Sequence, residues 1–363
     1  MNIDVNETLD LTLPQPAFDV ETPCFVVVEA AIDHNLRQTA ALAGGVQRLV
    51  PHVKTHRSPW LTRYLVSQGV VAFKTATPRE VEMVLDAGAQ EVIWSYPTTS
   101  AAAIARVVKA AEAYPQAKVT GVVDSDAGLD LWLELLAAGS HGNVNLRVDI
   151  DPGMGRTGVA IDDAALALAA AVAAAGRFAG WHIYDGHISD IDLVVREQRF
   201  LELQAQLNPL FERAEASGLA TDIVAGGSYT FPFWAKHTQA RVSPGSWVYT
   251  NSQHQAEQAH RGWHVAAYVL STVLSERAGT LTLDAGSKAI APDMPVTKRF
   301  TGVDEIVSMK EEHTIVTAPG FAPGDRVALV PRHTCTTAYL YRRALVLTRD
   351  GEWEYRDQLG CER

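Results

Sequence analysis

Two hydrophobic periods alternate along roughly the first 250 residues of the chain. Short runs rich in β-branched and aromatic residues occur at 48–53 (RLVPHV), 69–74 (GVVAFK), 91–95 (EVIWS), 117–123 (AKVTGVV), 144–150 (VNLRVDI), 178–184 (FAGWHIY), 221–225 (TDIVA) and 241–248 (RVSPGSWV). Helix-length segments with apolar residues at i, i+3 and i+4 separate most of them, as with Val81, Val84 and Leu85. That helix has a legible start: Thr77 as N-cap, Pro78 in the first helical position and Glu80 placed for a capping box. Ala87-Gly88 closes it. Strands alternating with helices predict a parallel sheet, because parallel neighbours need a crossover between them. Eight such units in roughly 200 residues predict an α/β fold with a closed (β/α)8 barrel of the TIM type, with a doubly wound open sheet as the alternative.

The pattern changes after about residue 256. HVAAYVLSTVLSE, GTLTLDAGSK, EIVSMKEEHTIVTA, GDRVALVPRH and AYLYRRALVLTRDGEWEYR are strand-like, with turn signals at Pro323-Gly324-Asp325 and Arg349-Asp350-Gly351. The pattern therefore predicts a barrel over 30–255 and a mostly antiparallel β domain over 256–363. About residues 1–29, including CFVVVEA at 24–30, are assigned to the second domain.

Charge narrows the partners. With 31 Lys and Arg against 42 Asp and Glu, the net charge is −11, which argues against nucleic acid or an anionic membrane surface. The basic pairs Lys54/Arg57 and Arg342/Arg343 are too small to reverse that. The opening MNIDVNETLDLTLPQ has neither the basic region nor the apolar region of a secretory signal, and ALALAAAVAAAG at 165–176 is too short to cross a bilayer. Three cysteines, Cys24, Cys335 and Cys361, give no disulfide framework, so a cytoplasmic protein is expected.

Barrel chemistry gathers at the carboxyl ends of the strands. Lys54 follows the first run, flanked by His52 and His56; Thr75 and Thr77 follow the second. Arg156 lies in DPGMGRTG after the fifth, and Tyr184, Asp185 and His187 end the sixth in YDGH. Gly226, Gly227 and Ser228 follow the seventh, and Gly245, Ser246 and Trp247 lie in the eighth. Singly, each has an ordinary structural explanation: turns for the glycines, packing for Tyr184, a surface ion pair for Arg156. Together on one barrel face they point to a site. Glycines let backbone N–H groups approach a phosphate where no Cβ intrudes. A lysine facing a phosphate site suggests pyridoxal 5'-phosphate held as a Schiff base on Lys54.

PRHTCTTAY places His333 and Cys335 two residues apart. In a strand, such residues share a face, so imidazole and thiolate could converge on one ion. That donor pair suits Zn²⁺ better than Mn²⁺ or Mg²⁺ and leaves positions open for substrate. The ordinary alternative is a core cysteine beside a surface histidine.

PHVKTH, DPGMGRTGV, YDGH, AGGS, PGSW, LDAGSK and PRHTCTTAYLY, in this order from about Thr22 to Tyr341, resemble the D-serine dehydratase and D-threonine aldolase group. These are pyridoxal-phosphate enzymes of the alanine-racemase-like fold. The resemblance implies that Lys54 is the Schiff-base lysine and the base at Cα. Arg156 would lie near the cofactor's phenolic oxygen, and Tyr184 against or beside its pyridine nitrogen. Gly226, Gly227, Ser228, Gly245 and Ser246 would hold the phosphate, with Thr75, Thr77 and Trp247 alongside. His52 and His56 would flank the Schiff base. D-serine dehydratases of the group carry His-x-Cys and bind zinc, whereas many D-threonine aldolases carry His-x-Asp and a harder ion. Catalytic roles thus fall on Lys54, His333 and Cys335. The implied activity is loss of water from a D-3-hydroxy amino acid by a homodimer. The alternatives are retro-aldol cleavage, racemisation, or pyridoxal-phosphate binding without turnover. GGSYTFPFW and SPGSWVYTNSQ depart from the pattern of both subgroups, which leaves the substrate open.

Overall fold

In the computed structural model, which describes residues 13–363 apart from 138, 140, 220 and 221, seven strands lie side by side in chain order, every neighbouring pair parallel. They are Ala72–Thr75, Glu91–Trp94, Lys118–Val123, Val144–Ile150, Phe178–Ile183, Ile223–Ala225 and Arg241–Val242. Residue 221 of the TDIVA run, and residues 1–12 of the segment assigned to the second domain, lie outside the described residues.

The sheet closes on itself through Leu49–His52. Val50 N–H donates to the Val242 carbonyl at 2.8 Å on one side, and Lys74 N–H donates to the Pro51 carbonyl at 3.0 Å on the other. This stave, the first of the eight in chain order, is shorter than the 48–53 run predicts. Pro51 has no N–H to give a ladder, and Val53–Thr55 coils into a 3₁₀ turn. The 241–248 run shortens for a similar reason: Pro244 ends the pairing after Val242, and Ser246–Val248 forms a second 3₁₀ turn.

The strands are apolar on both sides because both sides are covered. Phe73, Val92, Val119, Val148 and Trp181 pack outward beneath the helices. Val50, Ala72, Ile93, Val122 and Val224 meet as a separate layer inside the barrel. Helix Pro78–Asp86 starts as predicted: the Thr77 hydroxyl accepts from Glu80 N–H at 3.2 Å, a cap worth about 1 kcal/mol. The Glu80 carboxylate, however, accepts from Ala76 N–H and pairs with buried Arg57 at 2.5 Å rather than completing the box.

Among the described residues the second sheet has nine strands. Strand Cys24–Val28 lies within it, antiparallel to Ala267–Arg277 and parallel to Arg343–Leu347. Its alternation decides its place: Phe25 and Val27 face the main core, while Cys24 and Val26 pack with Tyr268, Leu270 and Leu345. Strand Arg326–Pro331 ends in a turn that leads into a short helix, Thr334–Ala338. There the Thr334 hydroxyl donates to the Thr250 carbonyl at 3.1 Å, fixing the turn to the segment that follows the barrel's last strand.

Candidate active site

The residues two positions beyond the apolar interior layer form the next level up the barrel, since alternate strand residues share a face. They include His52 above Val50, Lys74 above Ala72 and Ser95 above Ile93. From the fifth and sixth strands come Asp149, His182 and, at the mouth, Tyr184. His52, Lys54, Lys74, Arg156, His182 and Tyr184 line a cavity of about 360 Å³, within the range of a small cofactor site.

Three basic side chains surround one ring. Lys54 Nζ lies 5.9 Å, Lys74 Nζ 5.3 Å and the Arg156 guanidinium carbon 4.8 Å from the centroid of Tyr184. Lys54 is carried by the Val53–Thr55 turn, where its N–H donates to His52 Nδ1 at 3.3 Å. Arg156 is presented by a loop that folds on Asp151, whose carboxylate accepts from the N–H groups of Gly153, Met154 and Gly155. Gly158 closes that loop at φ +107, with a Cβ position only 2.4 Å from Asp151 N, so no other residue fits there. The Thr157 hydroxyl donates to Asp149 at 2.9 Å, and His182 Nδ1 lies 2.6 Å from the same carboxylate. Burial, then the charge of Lys74, pushes His182 down to about 4. Burial also carries His52 well below its ordinary value, with Lys54 and Lys74 adding to it.

The glycine loops differ from expectation in how they work. Gly226 N–H donates to the Ile183 carbonyl and Gly227 N–H to Asp185 and Thr230, so both amides turn inward. Glycine is required there for closeness. A Cβ on Gly226 would stand 2.9 Å from Trp234, and one on Gly227 3.2 Å from the Tyr184 ring. A Cβ on Gly245 would stand 2.9 Å from the His52 carbonyl oxygen. This packing brings the Ser228 and Ser246 hydroxyls within 2.7 Å of each other, the two loops' shared polar point. Asp185, buried and raised in pKa by that burial, anchors the first loop through Thr230 at 2.7 Å and Trp234 at 2.8 Å.

Several sequence candidates are placed elsewhere. The Thr75 hydroxyl donates to the Ile93 carbonyl, Thr77 caps its helix, and Trp247 is fully buried with its indole N–H on the Pro244 carbonyl. All three side chains are committed to the scaffold. His56 is buried behind the lysine turn, its Nδ1 accepting from Ser58 N–H, with Tyr249 edge-on to its ring. It stands behind the site while His52 lines it. His187 Nε2 would lie 3.7 Å from a Cβ on Gly153, placing it against the arginine loop.

His333 and Cys335 do come together, but not across a strand. His333 precedes helix Thr334–Ala338 and Cys335 lies in it, because the strand stops at Pro331. His333 Nδ1 is held by Asp293, which leaves the other ring nitrogen for Cys335. The hydrogen bond to Cys335 raises His333 to about 9, against the opposing effect of burial and with help from Asp293. Burial alone would raise the thiol, yet His333, with Thr55 and Lys54, brings it below its ordinary value. A thiolate and a ring nitrogen are borderline-soft donors, and among the described residues no third His, Cys, Asp or Glu joins them. That donor set fits an ion with open coordination positions.

The barrel segment matches a known family over more than half of the chain: the alanine racemase N-terminal domain model covers residues 27–253. The chain belongs to the alanine racemase N-terminal domain family. Residues 266–347 match the serine dehydratase domain model. A 3-hydroxy-D-aspartate aldolase of Paracoccus denitrificans (strain Pd 1222) is 27% identical over 344 residues, 89% of this chain and 87% of the relative. A D-threonine aldolase of an Arthrobacter species is 27% identical over 364 residues, 94% of each. The crystal structure of D-threonine aldolase from Filomicrobium marinum superposes with a TM-score of 0.82 at 24% identity, covering 93% of this chain and 95% of that one, which establishes the shared fold. Among the described residues no helix is long and apolar enough to cross a membrane.

Proposed function

We propose that this chain is a pyridoxal-phosphate- and zinc-dependent lyase acting on a D-3-hydroxy amino acid, with loss of water as the outcome. The observation that carries the reading is the convergence of the two domains: Cys335 of the C-terminal helix touches Thr55, the residue after Lys54. Basic groups around Tyr184, glycines that bring the loops close to it, and an unpartnered buried nitrogen on His182 suit an anionic heteroaromatic cofactor. When bound, pyridoxal phosphate supplies an electron sink that stabilises negative charge at Cα. A divalent ion supplies a Lewis acid for the β-hydroxyl.

The chain's own groups do the rest. Lys54 Nζ would hold the cofactor and then remove the α-proton as a free amine. Arg156, on a rigid loop, would face the cofactor's anionic oxygen, and Ser228 and Ser246 would meet its phosphate. The Tyr184 ring, wedged between three basic side chains and Gly227, would set the plane of the ligand. His333 and Cys335 would hold the ion, with Asp293 fixing the imidazole. Asp149 holds His182 in one orientation at the cavity wall. A homodimer in the cytoplasm remains the expectation for the assembly.

A second reading, retro-aldol cleavage to glycine and an aldehyde, is favoured by the activities of the two curated relatives. The same residues would serve it, with the β-hydroxyl losing its proton instead of leaving. Incubating the purified holoenzyme with D-serine, D-threonine and 3-hydroxy-D-aspartate separates the two. Ammonia and a 2-oxo acid in equal amounts support elimination. Glycine and an aldehyde replace it by the second reading, and inversion at Cα without cleavage overturns both.

A further inference from the structure

Lys74 is a second lysine in the cavity, and it is the buried one. It is 2% exposed, on the strand Ala72–Thr75 directly above the apolar interior layer. Among the described residues its Nζ has one hydrogen-bond partner, the Ser243 hydroxyl at 3.2 Å, and no ion pair with a carboxylate. The nearby carboxylates are already engaged: Asp149 by His182 and Thr157, Asp185 by Gly227, Thr230 and Trp234. On the same cavity floor His182 Nε2 is buried with no partner.

A buried amine without a counter-ion is costly, because desolvating a charge must be offset by pairing or by loss of the proton. Here both routes are half open. Burial and then Lys54 bring Lys74 down to about 7, Arg156 adds to that, and Asp149 and Asp185 oppose it. The groups facing it are His52 and Lys54 from the first stave, Asp149 and Arg156 from the fifth strand and its loop, and His182, Tyr184 and Asp185 from the sixth. Positive groups outnumber free negative ones around a cavity wide enough for a ligand. The missing charge is an anion.

We infer that Lys74, backed by the Asp149–His182 pair, is a cofactor-binding residue that meets the anionic cofactor as an ammonium, taking a proton from solvent as the cofactor enters and returning it as the cofactor leaves. The proton balance is one amine and one solvent proton giving one ammonium, with no bond made to carbon. Lys54 keeps the covalent chemistry. This inference rests on the reading of the cavity as a pyridoxal-phosphate site.

The test is titration of the cofactor-free full-length protein with pyridoxal phosphate by calorimetry, at pH 7 and pH 8 in buffers of different ionisation enthalpy. Wild type is expected to take up more protons at pH 8 than Lys74→Met does, by up to about one. Lys74→Met should bind at pH 7 at least about tenfold more weakly, the loss of a charge-assisted contact. His182→Gln should fall between the two. Lys74→Gln, which can keep the hydrogen bond to Ser243, provides a second variant should Lys74→Met fail to fold. Either variant is expected to melt, cofactor-free, at or above the wild-type temperature, as removal of an uncompensated amine should allow. Equal affinity and equal proton uptake in wild type and a folded variant would overturn the inference while leaving the cofactor reading intact. So would failure of both variants to fold, which would make Lys74 structural. Wild type that does not bind pyridoxal phosphate would overturn both.

Discussion

The thiol of Cys335 lies 3.3 Å from the hydroxyl of Thr55, and Thr55 follows Lys54 in the chain. This contact joins the C-terminal β domain to the turn that carries the candidate cofactor lysine. The turn is held from three other sides. Gly245 packs on the His52 carbonyl, Lys74 N–H donates to the Pro51 carbonyl, and Leu359 N–H donates to the Arg57 carbonyl at 2.8 Å. The nearness of the Lys54 turn to the His333–Cys335 pair is thus a property of the domain interface rather than of either domain.

Lys54→Ala should remove the visible absorbance of the bound cofactor and lower turnover by at least about 100-fold, since both the attachment and the α-proton acceptor are lost. Absorbance spectra and steady-state rates check this. If both persist, the anchor is elsewhere. Lys74 would then be the first candidate, because Lys288 is exposed and paired with Glu311 and Glu312.

Gly245→Ala should reduce activity more than it reduces stability. Its backbone is at φ −119, which any residue adopts, so the effect is steric rather than torsional. The added methyl would meet His52 O at 2.9 Å and Thr55 Oγ1 at 3.1 Å and push the lysine turn outward. Overpacking of this kind costs about 1–3 kcal/mol. Gly142→Ala, with nothing within 4 Å of its Cβ, is the matched control. Paired melting curves and rates decide it; equal behaviour of the two variants would refute the account.

Stability should fall as pH drops below about 6.5. Burial lowers His56 to about 3, and His182 and His254 to about 4, from an ordinary 6.5. Unfolding lets each take up a proton that the folded state refuses. Their contribution is therefore complete above pH 6.5 and is lost between 6.5 and about 4, at up to about 1.4 kcal/mol per pH unit for each. His333, raised to about 9, has the opposite sign: its contribution is complete below 6.5 and lost as pH rises through 9. Urea midpoints from pH 7.5 down to 4.5 measure the slope, and His254→Gln should flatten it. A midpoint that rises on acidification would contradict the assignment.

Much of this was legible in the chain. The alternation of β-branched runs with i, i+3, i+4 helices gave the barrel, and Thr77-Pro78 gave a helix start that the structure reproduces. Position alone predicts that Lys54, Arg156 and Tyr184 lie together, because strand ends in a barrel converge, and the three line one cavity. The interior polar residues were harder. Asp149 and His182 sit inside apolar runs, VNLRVDI and FAGWHIY, and the signal was there in period two: each lies between residues that face the helices. Val53 and Ser246–Val248, which fall within the strand-like runs 48–53 and 241–248, lie instead in 3₁₀ turns, because Pro51 and Pro244 break the ladder before them. His333 and Cys335 converge through a helix turn rather than the strand alternation their spacing predicts. Asp293, 40 residues upstream, left no local trace.

The account's central claim is that a metal ion on His333 and Cys335 acts with the cofactor on one substrate. The most direct measurement is metal content and turnover of the purified holoenzyme, on whichever of D-serine, D-threonine and 3-hydroxy-D-aspartate gives the fastest reaction, before and after chelation. The account predicts bound zinc in wild type, loss of turnover on chelation with the cofactor absorbance unchanged, and recovery on adding Zn²⁺. Cys335→Ala should behave like the chelated enzyme, because one protein ligand is too few to retain the ion. Cys335→Asp should lose zinc and respond better to Mn²⁺ or Mg²⁺. Wild type that holds no divalent ion and turns over equally well with chelator present would contradict the claim.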